Sequence, residues 1–211
     1  GLTGKLMFWV MMVMIPGALI IGVLAGMREG SRTDRSLSTA SIISTATPEY
    51  VSGVILIAVF ATPLFGMQYF KGTATSAMDD ANFNNFVLPV ITIALYGMGY
   101  IARMTRASMT EVMTAQYVRT ARLKGVSFRN IVMKHALRNA IIPVVSLAAV
   151  QMGFMLGGSI VVESIFALHG AGYLAWESIS RNDLPTMQAL ILIFSTFYIL
   201  FTFLADVLNA W

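Results

Sequence analysis

Cysteine is absent from the 211 residues, so neither a disulfide framework nor a thiolate metal site is open to this chain. Charge is scarce: Asp, Glu, Lys and Arg make up 11% of the residues against 57% hydrophobic, with a mean hydropathy of +0.74. That balance excludes an ordinary soluble domain and indicates an integral membrane protein. Histidine occurs twice, as His135 and His169 in separate loops, and neither has companions at metal-ligand spacing. No G-x-x-x-x-G-K-[S/T] stretch is present to cradle phosphates, so no nucleotide cofactor is expected on this chain. A charged leader followed by a cleavage site is also missing at the start, and no signal peptide is expected.

What the sequence does contain is a series of apolar runs near the length needed to cross a bilayer. They predict an all-α polytopic protein, one membrane domain over residues 1–211 with five transmembrane helices at about 6–26, 41–66, 87–106, 141–163 and 187–208. Pro16 and Gly17 predict a kink in the first span. The second has a polar first half, where Glu49 is either a pathway residue or a group near the interface, and an apolar second half from Val51 to Leu64. Gly97 and Gly99 give the third span a small surface for close packing. Asn139 is a plausible cap for the fourth, Pro143 lies in its first turn, and Gln151, Gly153, Gly157, Gly158 and Ser159 interrupt it before Glu163 closes it. Residues 67–86 read as an external loop, and residues 164–185, with Tyr173 and Trp176, as a short helix at the interface. Asp206 lies near the end of the last span.

Positive charge gathers in two places. Arg28, Arg32 and Arg35 follow the first span, and eight of the 14 Lys and Arg residues lie between Arg103 and Arg138. With five spans both groups fall on one side, which the positive-inside rule makes cytoplasmic; the first residue is then outside and the last inside. Two short basic helices tethered to apolar spans at both ends are not expected to read nucleic acid, despite a pI near 9.6.

The segment at about 107–140 carries helix signals of its own. Ser108 and Glu111 have the spacing of a capping box and predict a helix start. Gly125 predicts its end, with Arg122 and Lys124 in the last turn, and Ser127 offers a new cap. Beyond it Phe128, Ile131, Val132 and His135 share one face and Asn130, Lys134 and Arg138 another, as in a helix lying on a surface.

The run Tyr117-Val-Arg-Thr-Ala-Arg-Leu-Lys-Gly125, then His135-Ala-Leu-Arg-Asn-Ala140 and Pro143, resembles the cytoplasmic signature loop of permease subunits of binding-protein-dependent ABC importers, and within them the dipeptide, oligopeptide and nickel group. Gln151 with Gly153, Val161-Val-Glu163, Phe166, Gly170 with Gly172, Asp183 with Pro185, and Gln188 extend the likeness over nearly the whole chain. Arg119-Thr-Ala121 in place of Glu-Ala-Ala, and Leu137-Arg138 in place of Leu-Pro, are features of the narrower group; His169 and Asn182 depart from it, where Pro and Arg are frequent. The family's first transmembrane helix and its closing Asp-Pro-Arg are not in the sequence, so a piece of a longer chain is expected.

The resemblance implies a type I importer permease in the cytoplasmic (inner) membrane of a bacterium or archaeon. Its implied partners are a second, related permease subunit, two cytoplasmic ATPase subunits that hold ATP-Mg, an external substrate-binding protein and membrane lipid, with peptides or a similar small solute as cargo. It implies that Arg119, Thr120, Ala121, Arg122 and Gly125 couple to the ATPase, the small residues entering a groove and the arginines meeting acidic groups. A polybasic patch on anionic lipid is the competing reading of that loop. Glu49, Gln151, Ser159 and Glu163 are the pathway or gate candidates. An alternative is a self-sufficient secondary transporter in which Glu49, Glu163 or Asp206 carries protons or ions, and a third reading is a passive anchor for a soluble complex.

Overall fold

The structure is a computed structural model that describes residues 1–63, 69–79 and 83–210. Among the described residues there are helices and no strands: α1 (Leu2–Gly26), α2 (Arg32–Ala46), α3 (Glu49–Phe60), α4 (Ser76–Asp79), α5 (Phe83–Thr114), α6 (Gln116–Leu123), α7 (Phe128–Asn130), a π-helical segment (Ile131–Ala136), α8 (Leu137–Ala140), α9 (Ile142–Ile165), α10 (Ala171–Ser180) and α11 (Leu184–Ala210). Helices α1, α5, α9 and α11 are each long and apolar enough to cross a membrane, and α2 with α3 makes a fifth span if the bent pair is counted as one. The protein is therefore a polytopic all-α membrane protein.

Helix α5 is the axis, packed by α1, α2, α3 and α9 in turn. Small residues bring α1 against it. A side chain at Gly22 would overlap Thr105 and stand 2.6 Å from the Ala102 carbonyl, and one at Gly26 would meet Met109 at 2.6 Å and the Arg106 carbonyl at 2.7 Å. Close backbone approach of this kind drives helix association where lipid and side chain are equally apolar. Gly97 receives Met14 of α1, and Gly99 receives Ser44 and Thr45 of α2. Helix α11 lies on the outside, packed on α9 and α10 with most of its apolar side chains exposed.

Three expectations from the sequence are corrected. The second span is not one helix over 41–66: α2 and α3 meet at 104°, because Pro48 has no N–H to continue the ladder and holds Thr47 extended at φ −88°, ψ 120°. Residues 64–66 of that expected span, like 67–68 and 80–82 of the expected external loop, lie outside the described residues. Helix α2 also starts early, at Arg32, capped by the Ser31 hydroxyl, which accepts from the Asp34 N–H at 3.1 Å. The third span does not stop near 106, and Ser108 starts no helix. Ser108 is buried inside α5, which runs on to Thr114, since no glycine or proline from Arg103 to Ala107 breaks the helix and a capping box requires a non-helical first residue. Asn139 does not cap α9; its amide donates to the Tyr117 hydroxyl at 2.9 Å and to the His135 carbonyl at 3.1 Å.

Candidate functional site: the basic segment and the buried carboxylates

The segment between α5 and α9 is a small folded unit. Helix α6 ends in a Schellman turn: Gly125, at φ +77°, donates to the Arg122 carbonyl at 3.0 Å and Val126 donates to the Ala121 carbonyl at 3.1 Å. Ser127 occupies the next N-cap position, yet its hydroxyl makes no capping bond. Val118, Ala121 and Ile131 are buried together with Val112, Met113 and Val126 around them. A second cluster, Met109, Val132, Ala136 and Ala140, packs on Val23 and Met27 at the end of α1. The unit is thus seated on the ends of α1 and α5. Arg28 stacks over the Phe128 ring at 5.9 Å, adding a tie to the loop after α1.

Its outer surface carries Arg119, Thr120, Arg122, Lys124 and Gly125, all exposed. Ala121 is not among them. It is 8% exposed and faces the chain's own cluster, because α6 must turn one side inward to bury Val118, and Ala121 shares that side. The residue that sequence reasoning missed is Leu123, 83% exposed at the tip of α6. A large apolar side chain beside the αL glycine that ends an otherwise basic helix was the available signal.

The pathway candidates are spread along α9 and α3. Gln151 and Ser159 are buried in α9, and Ser159 donates to the Leu156 carbonyl at 2.8 Å. Glu163 is fully buried near the end of that helix. The Thr3 hydroxyl donates to its Oε1 at 2.6 Å, and the Tyr173 N–H to its Oε2 at 2.9 Å. The Ala171 N–H donates to Thr3 Oγ1 at 2.7 Å, so one carboxylate joins the start of α1, the end of α9 and the N-terminus of α10. The positive end of the α10 dipole favours the charge placed there. Gly170 and Gly172 make the arrangement possible: a side chain at Gly170 would press on Thr3 and Glu163, and one at Gly172 would stand 2.8 Å from Ile160 N.

Glu49 is not part of this cluster. It begins α3 and lies, half-buried, against Gly158, in a cleft of about 320 Å³ lined also by Pro48, Tyr50, Tyr96, Phe154 and Val161. Helix α9 therefore presents Gly158 to α3 and Ser159 to α10, and the basic segment lies beyond the other end of α9, about 24 Å along the helix from Gly158 at ~1.5 Å per residue.

A further carboxylate, Asp34, is buried at the other end of α5. Arg106 donates to it through Nε at 2.6 Å and Nη2 at 2.8 Å, and the Gly30 N–H and Ser38 hydroxyl donate at 2.8 and 3.0 Å. This bidentate pair fixes α2 to α5. Ser31-x-x-Asp34 has the S-x-x-[DE] spacing of a helix start and was the sequence signal for it.

Against known proteins, residues 18–211 match the family model described as "Binding-protein-dependent transport system inner membrane component". The chain is 39% identical over 189 residues to the glutathione transport system permease protein GsiC of Escherichia coli strain K12, covering 90% of this chain and 59% of that protein. It is 36% identical over 209 residues to the protein of the same name from Salmonella choleraesuis strain SC-B67, covering 99% of this chain and 64% of that one. The chain thus spans about three-fifths of the length of these relatives. Among solved structures, one described as an amino acid ABC transporter superposes with a TM-score of 0.67 at 17% identity, over 99% of this chain and 89% of that one, and shares the fold. The chain is a multi-pass membrane protein belonging to the family of inner membrane components of binding-protein-dependent transport systems.

Proposed function

We propose that this chain is the permease part of an ATP-driven importer, forming one side of a path for short peptides or a similar small solute and transmitting the state of cytoplasmic ATPase subunits to its membrane helices. The observation that carries the reading is the folded basic segment: α6 is buried on one side, capped by an αL glycine, and offers Arg119, Thr120, Arg122 and Leu123 outward on a unit that rests on α1 and α5. A patch that only attracted anionic lipid would need charge and no such packed support. Docking there would move α1 and α5 as one body, because Gly22 and Gly26 lock the two together.

In this reading the partners are a second, related permease, two ATPase subunits that hold ATP-Mg, and an external binding protein; the membrane is the cytoplasmic membrane of a bacterium or archaeon. Both basic groups of residues face the cytoplasm, which puts Gly1 and the Glu163 cluster at the outer side. Peptide cargo is supported by the relatives named for glutathione transport, which resemble this chain at 36–39% identity. The test is purification from native membranes with partners identified by mass, followed by uptake in vesicles. Co-purified ATPase subunits and uptake that requires ATP and survives a proton uncoupler are expected. Uptake that collapses with the uncoupler while ATP is present would replace this reading with a secondary transporter, and no uptake with an anchor.

A further inference from the structure

Of the carboxylates buried or half-buried among the membrane helices, Glu49 is the one left without a hydrogen bond or ion pair among the described residues, whereas Glu163 and Asp34 are fully engaged. Its surroundings are specific. Gly158 on α9 has no side chain, and a Cβ there would overlap Glu49 Oε2 and stand 3.0 Å from its Cδ and Oε1. The carboxylate is accommodated by that gap, so its position is set by α9 as well as by α3. The cleft it faces is about 320 Å³, and Tyr96, Tyr50 and Phe154 contribute aromatic rings to it. Tyr96 lies against Tyr100 with ring centroids 5.2 Å apart, which holds its ring in place.

We propose that this cleft is a station for the primary ammonium group of the cargo, with Glu49 as the counter-charge and the aromatic rings, Tyr96 foremost, as the cation-attracting wall. An ammonium supplies the hydrogen-bond donors and the charge that the carboxylate lacks, and aromatic ring faces attract a cation. The bend at Pro48 puts Glu49 at the first turn of α3, so any change in the 104° angle between α2 and α3 would move the carboxylate relative to Gly158. Binding and release of the ammonium are thereby linked to that bend. The inference rests on the importer reading given above and narrows it to cargo with a free amino group.

The test uses the complete complex, permeases and ATPases with the binding protein, in vesicles. Uptake of a labelled dipeptide is compared with that of its N-acetylated form, each divided by its occupancy on the binding protein so that selection outside the membrane cancels. For Glu49→Gln the ratio of free to acetylated uptake is expected to fall about tenfold, the size of one lost charge-assisted hydrogen bond. Glu49→Asp, which keeps the charge on a shorter arm, should give an intermediate ratio, and Tyr96→Leu a smaller fall than Glu49→Gln. An unchanged ratio in Glu49→Gln, whether both rates stay the same or both drop together, would overturn the ammonium station and leave the importer reading standing. Absence of ATP-driven uptake of either peptide by the unaltered complex would overturn both.

Discussion

Two carboxylates are taken out of solvent at the two ends of this helix bundle, and they are held by opposite means. Asp34 meets a full positive charge, Arg106, in a two-toothed pair reinforced by Gly30 and Ser38. Glu163 meets no cation; a hydroxyl and backbone N–H groups at the start of α10 satisfy it. The pair at Asp34 is partly wet, with the Arg106 side chain 30% exposed, and ties α2 to the same end of α5 on which the basic segment rests. The carboxylate of Glu163 is fully buried, and it ties three helix ends through neutral donors. The first arrangement is a brace that tolerates loss of a partner by turning to water. The second holds its carboxylate from two elements at once, so it is released only if α1 and α10 both let go.

The largest effect should come from Glu163→Ala, which takes away the acceptor of both the Thr3 hydroxyl and the Tyr173 N–H at a fully buried position. At about 1–3 kcal/mol for each of the two unpaired donors, a loss of roughly 2–6 kcal/mol is expected by reversible unfolding in mixed detergent. Glu163→Gln retains shape and an acceptor and should cost about half as much. Next is Asp34→Ala, at roughly 1–3 kcal/mol, discounted because Arg106 can hydrate. High salt sharpens the contrast: it should weaken the protein with Asp34 intact and leave the Glu163 contribution unmoved. A larger loss for Asp34→Ala than for Glu163→Ala would reverse the account. Thr3→Val should come lower, near ~1 kcal/mol, as one hydrogen-bonded group is removed.

The smallest effect is at Asp183, outside the spans, where Thr186 donates to the carboxylate through its hydroxyl at 2.6 Å and its N–H at 3.2 Å and opens α11. These bonds hold the carboxyl below its ordinary value. A depressed folded value means a contribution present above the unfolded pKa, about 3.9, and lost as pH falls through the folded one. Fraying of the first turn of α11, read by hydrogen exchange, should therefore increase in acid, and Asp183→Ala should show the same fraying at neutral pH with no further change on acidification.

The sequence made the spans, the basic segment and the glycine at its hinge legible, because length, hydropathy and a residue suited to positive φ are local properties. Ala121 and Leu123 were not assigned to their sides, since which face of an eight-residue helix turns inward is decided by Ile131 and Met113, residues outside that helix. Thr3 with Glu163 and Asp34 with Arg106 are separated by 160 and 72 positions, and no periodicity joins them. The bend at Pro48 was visible as a proline where a polar stretch gives way to an apolar one, but neither signal fixes the direction the chain takes beyond it.

These separate features meet in the claim that α6 is the point at which the ATPase takes hold of the permease. The measurement is ATP hydrolysis by the reconstituted complex, with and without substrate-loaded binding protein, for Leu123→Asp, Ala121→Trp and Arg129→Ala. Leu123 is exposed and supports no internal packing, so Leu123→Asp should leave the helices folded while lowering co-purified ATPase and abolishing the stimulation by substrate. Ala121→Trp must instead disrupt the cluster around Val118, at roughly 1–3 kcal/mol of strain, and should lower stability together with coupling. Arg129→Ala should do least. Full stimulation and full ATPase recovery in Leu123→Asp, or a loss in Arg129→Ala that exceeds it, would contradict the assignment.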